Sequence, residues 1–190
     1  MPQNFGPSTG SGQYYATAIQ GNLYHGGNQA VVATALAAGL VTAHTGGLVL
    51  ANPIASTVNL VIQRAQASFV VAQTNAAAIG LGIGVSATPL AGTLTAVPSV
   101  NANPGSASTA AGKLYSSAAI TLPVAPYLAK ILGTVNTGAE TTEVDSTPIG
   151  LDLQGAIVLP PGGFACFTSS AAGTASSFFG SFTWLEVPAV

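Results

Sequence analysis

Residues 79–85 read Ile79-Gly80-Leu81-Gly82-Ile83-Gly84-Val85, an unbroken alternation of apolar residue and glycine. A repeat of two belongs to a β-strand, whose successive side chains point to opposite faces. One face of this strand is apolar and belongs in a core; the other is bare. Glycines weaken a strand, so a row of them marks a place where another backbone or a flat surface comes close. Either a loop of the same chain or a neighbouring subunit fits that description, which makes Gly80, Gly82 and Gly84 candidate interface residues.

Outward from this strand the same signature recurs: short runs rich in Val, Ile, Leu, Thr and Phe, bounded by Gly, Pro and Asn. It predicts strands over residues 14–24, 30–36, 48–52, 58–72, 79–86, 113–122, 156–159, 164–169 and 178–187. Asn52-Pro53 ends one run, and Val58, Leu60 and Ile62 open the next with period-two spacing. Arg64 falls on the parity of that apolar face, so either a bulge shifts the register there or the strand leaves the core. Residues 87–112 hold Pro89, Pro98 and Pro104 among Gly, Ser and Ala and read as a long excursion used for contact or binding. Residues 123–133 fit a short helix from about Pro126 or a strand equally well. Leu159-Pro160-Pro161-Gly162-Gly163 is a turn between two strands. Alanine is abundant but lies among Thr, Gly, Ser and Val, without the Glu, Lys, Leu and Arg that fill helices. Regularly spaced strands of this kind predict an all-β fold, an antiparallel two-sheet β-sandwich of jelly-roll type. The expected organisation is an extended arm over residues 1–12 and a single sandwich domain over residues 13–190.

Composition narrows function. Charged residues make up 4% of the 190, against about 25% in an ordinary soluble domain. A free surface mixes both signs of charge to stay soluble, so a surface of Ala, Gly, Ser, Thr and Asn implies that much of it is covered by other subunits. Arg64, Lys113 and Lys130 are the only cations in the chain, too few to neutralise phosphates, so no direct nucleic-acid binding is expected. No run of about 18 apolar residues exists, and the few aromatics form no pair of girdles, so no membrane partner is expected. The opening residues carry neither a basic nor an apolar stretch and are not expected to be a secretory signal.

Chemistry is hard to assemble from these residues, and no catalytic, cofactor-binding or metal-ligating set is expected. Glu140, Glu143, Asp145 and Asp152 are spaced as Ca²⁺ ligands can be, but no fixed loop signature accompanies them, and a solvated loop is the plainer reading. His25 lies in a Gly-Gly-Asn turn, and no acid stands near it or His44. Cys166 sits in Phe164-Ala165-Cys166-Phe167 and reads as a small buried hydrophobe. Glycoside hydrolysis needs a sugar cleft lined by aromatics, and Trp184 is the one tryptophan. On one parity of the last strand lie Phe182 and Trp184, alternating with hydroxyls as in a strand that faces a core. The arm, Met-Pro-Gln-Asn-Phe-Gly-Pro-Ser-Thr-Gly-Ser-Gly, is expected to reach a neighbour through Phe5 and Pro7, with Tyr14 and Tyr15 next to it as further interface candidates.

Three stretches together, Leu48-Val49-Leu50-Ala51-Asn52-Pro53 with Asn59-Leu60-Val61-Ile62, Ile157 to Gly163, and Gly180-Ser181-Phe182-Thr183-Trp184-Leu185-Glu186-Val187-Pro188, resemble small virion structural proteins of tailed bacteriophages. The likeness covers residues 14–188 and is structural, so it carries over no functional residue. It implies a non-enzymatic subunit in the virion, a capsid decoration or cement protein that binds the head shell, in a family where jelly-roll oligomers are frequent. A homotrimer bound to capsid or other virion proteins is the expected form. Another virion part (head spike, tail component or main shell protein) and a host-facing carbohydrate-binding module remain as alternatives.

Overall fold

The computed structural model describes residues 15–28, 36, 38–44, 47–71, 76–117, 119–135, 149–171 and 177–189. Among them one short helix, α1 (Tyr15–Ile19), precedes β1 (Leu23–Gly27). A strand was expected across both. The Ala-Thr-Ala run instead closes a helical turn, with Gln20 N–H donating to Ala16 O at 3.3 Å. Gly21, at φ +73°, ends it in the left-handed conformation that glycine adopts without strain.

The other strands are β2 (Ala43–His44), β3 (Gly47–Ala51), β4 (Val58–Val71), β5 (Ala77–Val85), β6 (Ala91–Gly92), β7 (Ala96–Val97), β8 (Ser99–Asn101), β9 (Lys113–Ser117), β10 (Ile120–Thr121), β11 (Tyr127–Val135), β12 (Ile149–Leu159), β13 (Gly163–Ser169) and β14 (Ser177–Pro188). The fold is all-β, and every strand pairing is antiparallel. One sheet runs β12-β4-β14-β1-β8, a second β11-β5-β13-β3-β9-β7, and a small third β2-β10-β6.

The two large sheets share a core. Leu60, Ile62, Phe182 and Trp184 come from the five-stranded sheet and Leu48, Leu50, Leu81 and Phe167 from the six-stranded one. The rings of Phe167 and Phe182 meet across the gap with centroids 5.0 Å apart. Alternation along β14 aims Phe182 and Trp184 inward, and Trp184 stacks on Tyr24 at 6.0 Å. A second cluster lies on the other side of the six-stranded sheet: Val49, Ala51, Phe164 and Cys166 packed with Ile120 and Leu122. The third sheet thus makes a partial third layer, so β3 and β13 are buried along their whole length. Two layers were expected. The difference comes from residues 113–122, which do not form one strand but split into β9 and β10 in different sheets.

Local devices set the registers. Thr183 pairs with Arg64 but Trp184 with Ile62, so Gln63 is an extra residue in β4. This bulge returns Arg64 to solvent while Ile62 and Ala65 both stay buried, one of the two alternatives open from sequence. β12 starts at Ile149, earlier than expected, and carries its own irregularity between Asp152 and Ile157 opposite the same point. At the β12–β13 turn, Gly162 takes φ +79° and donates to Asn52 O at 3.0 Å, tying the turn to the end of β3. Glu186 anchors the far end of the long excursion: its carboxylate accepts from the N–H groups of Ala111 and Gly112 at 3.1 and 2.9 Å and from Trp184 Nε1 at 3.1 Å.

Candidate interaction surfaces

The excursion over residues 87–112 is built from short strands. β8 adds to the edge at β1 and β7 to the edge at β9. Both large sheets are therefore capped along one flank by pieces of the same connection. At the other flank the edges are β11, with nine residues, and β12, with eleven. The two edge strands lie against each other, and a methyl group on Gly133 of β11 would meet Ile149 Cγ2 of β12 at 2.9 Å.

Among the described residues no further strand caps this flank, and several of its exposed side chains are apolar. Tyr127 is 77% exposed, Ile131 62% and Leu128 49% on β11, and Val158 is 50% exposed on β12. Long apolar edges present unpaired backbone groups and invite another chain, and soluble proteins blunt them with charge, bulges or a cover. Here the blunting comes from Lys130 and register shifts after Leu128 and Ile131 on β11, and from the exposed Asp152 and the irregularity that follows it on β12.

The glycine row is not part of an open surface. Methyl groups on Gly80, Gly82 and Gly84 would meet Leu128 Cδ1 at 2.5 Å, Thr168 Cγ2 at 2.9 Å and Phe164 Cζ at 2.5 Å. The atoms that approach these glycines most closely belong to the chain itself, side chains of the neighbouring strands β11 and β13. Tyr15 heads α1, while Phe5, Pro7 and Tyr14 lie outside the described residues, as do Glu140, Glu143 and Asp145.

A cavity of about 370 Å³ opens at the end of β3, between the connection that follows it and residues 88–94. Its walls are mostly apolar, including Pro53, Ile54, Leu90 and Leu94, with Tyr115 and Asn52 among them. Asn52 is buried, and its Nδ2 donates to Val58 O at 2.8 Å and Leu159 O at 3.0 Å. Its Oδ1 is the one buried side-chain polar atom among the described residues without a hydrogen-bond partner.

The outer face of the five-stranded sheet is mixed: a row of Val158, Val61 and Leu185 is apolar, and another row is polar. Register aligns Asp152, Arg64, Thr183 and His25 across four strands. His25 Nδ1 and Thr183 Oγ1 are 3.0 Å apart, and partial burial lowers the His25 pKa from its ordinary value. With its amide turned to present oxygen, Gln66 accepts from Arg64 Nη2 at 2.9 Å and Nε at 3.3 Å. Beside them a shallow groove of about 300 Å³ is lined by Gln66, Ser68, Ser181 and the exposed Phe179.

His25 on that face and Cys166 beneath the third sheet are not brought together. Among the described residues no group of three or more His, Cys, Asp or Glu gathers. Burial pushes the Cys166 thiol up to about 12. An aromatic disulfide reagent is therefore expected to find no reactive thiol in the folded protein and one per chain after unfolding in guanidinium. Stoichiometric reaction under native conditions would contradict this placement. No helix among the described residues is long and apolar enough to cross a membrane.

The chain matches no protein-family model, no curated protein and no solved structure. Sequence reasoning missed the apolar flank because Pro123 to Gly133 breaks strict alternation; the signal available was Tyr127, Leu128 and Ile131 after two prolines. The cavity had no sequence signal beyond Asn52-Pro53 and the prolines facing it.

Proposed function

We propose that this chain is a non-enzymatic structural subunit of a virus particle, a jelly-roll protein that forms a closed ring of three copies and decorates or cements the head shell of a tailed bacteriophage. Strand order supports the jelly-roll part. Taken in chain order, β1, β3, β4, β5, β11, β12, β13 and β14 are first to eighth. One sheet then carries first, eighth, third and sixth as neighbours, and the other second, seventh, fourth and fifth. That interleaving is two Greek keys wound together, an arrangement used by viral capsid and lectin domains and by cupins.

The observation that carries the assembly reading is the contrast between the flanks among the described residues, one capped by the chain's own short strands and one presenting long edge strands with exposed apolar side chains. A closed ring removes such an edge, whereas a monomer exposes it to aggregation. The cations are dispersed: Arg64 on the outer sheet face, Lys113 beside the cavity and Lys130 on β11. This speaks against a basic patch and for contacts with other virion proteins instead of nucleic acid. A host-facing carbohydrate-binding module is the second reading, and the groove beside Phe179 is what favours it.

Imaging purified particles by electron cryomicroscopy tests the proposal. The expected map places three sandwiches around a symmetry axis on the outside of the head. Absence of the chain from purified particles would overturn the virion role.

A further inference from the structure

The cavity at Asn52 specifies its occupant by its chemistry. At about 370 Å³ it sits at the low end of ligand pockets, roughly 300–1,000 Å³, with room for one aromatic side chain and a few backbone atoms. Its walls at Pro53, Ile54, Leu90 and Leu94 call for an apolar group. Asn52 Oδ1 is unpartnered but inaccessible, so the apolar walls alone select the occupant. Lys113 at the rim is exposed, so water solvates its charge, and its Nζ donates to Ala110 O at 3.4 Å.

Residues 1–12 of the chain have this composition. Phe5 is their one aromatic side chain, Gly6 and Pro7 follow, and no charged side chain is present. Tyr15 begins α1, which leads into β1 of the five-stranded sheet. The cavity lies on the opposite side of the sandwich, where Ala51, Leu90, Leu94 and Tyr115 pack outside the six-stranded sheet. Root and receptacle thus belong to different sheets of one copy. A head-to-tail ring brings two different patches of neighbouring copies together, and the ten residues from Phe5 to Tyr15 span at most about 33–36 Å when extended.

We propose that the arm of one copy seats Phe5 in the Asn52 cavity of the next, so that the ring is linked by exchanged arms. This rests on the self-assembly reading above and adds to it a defined donor and acceptor.

Disulfide trapping in the full chain tests it. Asn4→Cys is combined with Ala55→Cys, an exposed residue at the cavity, and oxidised glutathione is supplied as oxidant. The buried Cys166 stays out of the reaction. The expected result is a ladder of linked dimers and trimers on a non-reducing gel, formed at least tenfold more slowly when Phe5→Ala is added. Moving the second cysteine from Ala55 to the exposed Ala156 of β12 is expected to abolish the ladder. Linkage only within single chains, a rate indifferent to Phe5→Ala, or equal linkage at Ala156 would each overturn the proposal. A protein trimeric by light scattering that forms no ladder refutes the arm exchange alone, whereas a monomer refutes the assembly reading as well.

Discussion

Replacing Ile131 by glutamate is expected to release monomers from the assembled protein while leaving the unfolding of the sandwich nearly unchanged. Ile131 is 62% exposed on the edge strand β11, so it contributes little to the core of its own chain. At a subunit contact its burial is worth about 1.5–3 kcal/mol. A glutamate there loses that term and adds the cost of desolvating a carboxylate without a partner, several kcal/mol if the contact stays closed. The sum exceeds the ~2.8 kcal/mol that corresponds to a hundredfold loss of affinity, so association should weaken by at least that factor. Chromatography with light scattering reads the mass, and thermal melting under dilute conditions reads the fold. If Ile131→Glu keeps the parent's mass at micromolar concentration, the β11 flank is not the contact. Thr134→Glu, on the same strand and also exposed, asks how far the contact extends.

Trp184→Ala is expected to give the largest loss of stability of any single substitution in the chain. Trp184 is fully buried, stacks on Tyr24 and donates to Glu186, which also holds Ala111 and Gly112. Truncating a buried large aromatic costs about 3–5 kcal/mol. For a chain of this size each kcal/mol moves the melting temperature by roughly 2–4 °C, so a drop of about 10 °C is expected. Thr183→Ala, one residue away on the outer face, should cost under about 1 kcal/mol. A Trp184→Ala protein that melts within a degree or two of the parent would mean that the shared core is not organised around this ring.

What was legible in the sequence was what periodicity and turn chemistry encode. The Gly-alternating strand, the Asn52-Pro53 stop, the Pro-Pro-Gly-Gly turn and the inward parity of Phe182 and Trp184 all appear where those signals put them. Elements decided by tertiary partners were not legible. The segment opening at Tyr15 is a helix, closed by local hydrogen bonds such as Gln20 N–H to Ala16 O, which a period-two reading does not weigh. Residues 113–122 split because β9 and β10 pair with different sheets, a choice made by long-range contacts. The excursion looked irregular because strands of two or three residues carry no measurable repeat, yet those strands create the difference between the flanks. At the glycine row nothing in the alternation names the neighbouring groups, which are the side chains of Leu128, Thr168 and Phe164 of the same chain.

The central proposal is that this chain covers its charge-poor surface with copies of itself. The absolute mass of the purified full-length protein, measured by light scattering across micromolar concentrations, addresses that claim most directly. A single species of three times the 18.6 kDa of one chain is the predicted result, and a stable, monodisperse species at the mass of one chain would contradict it.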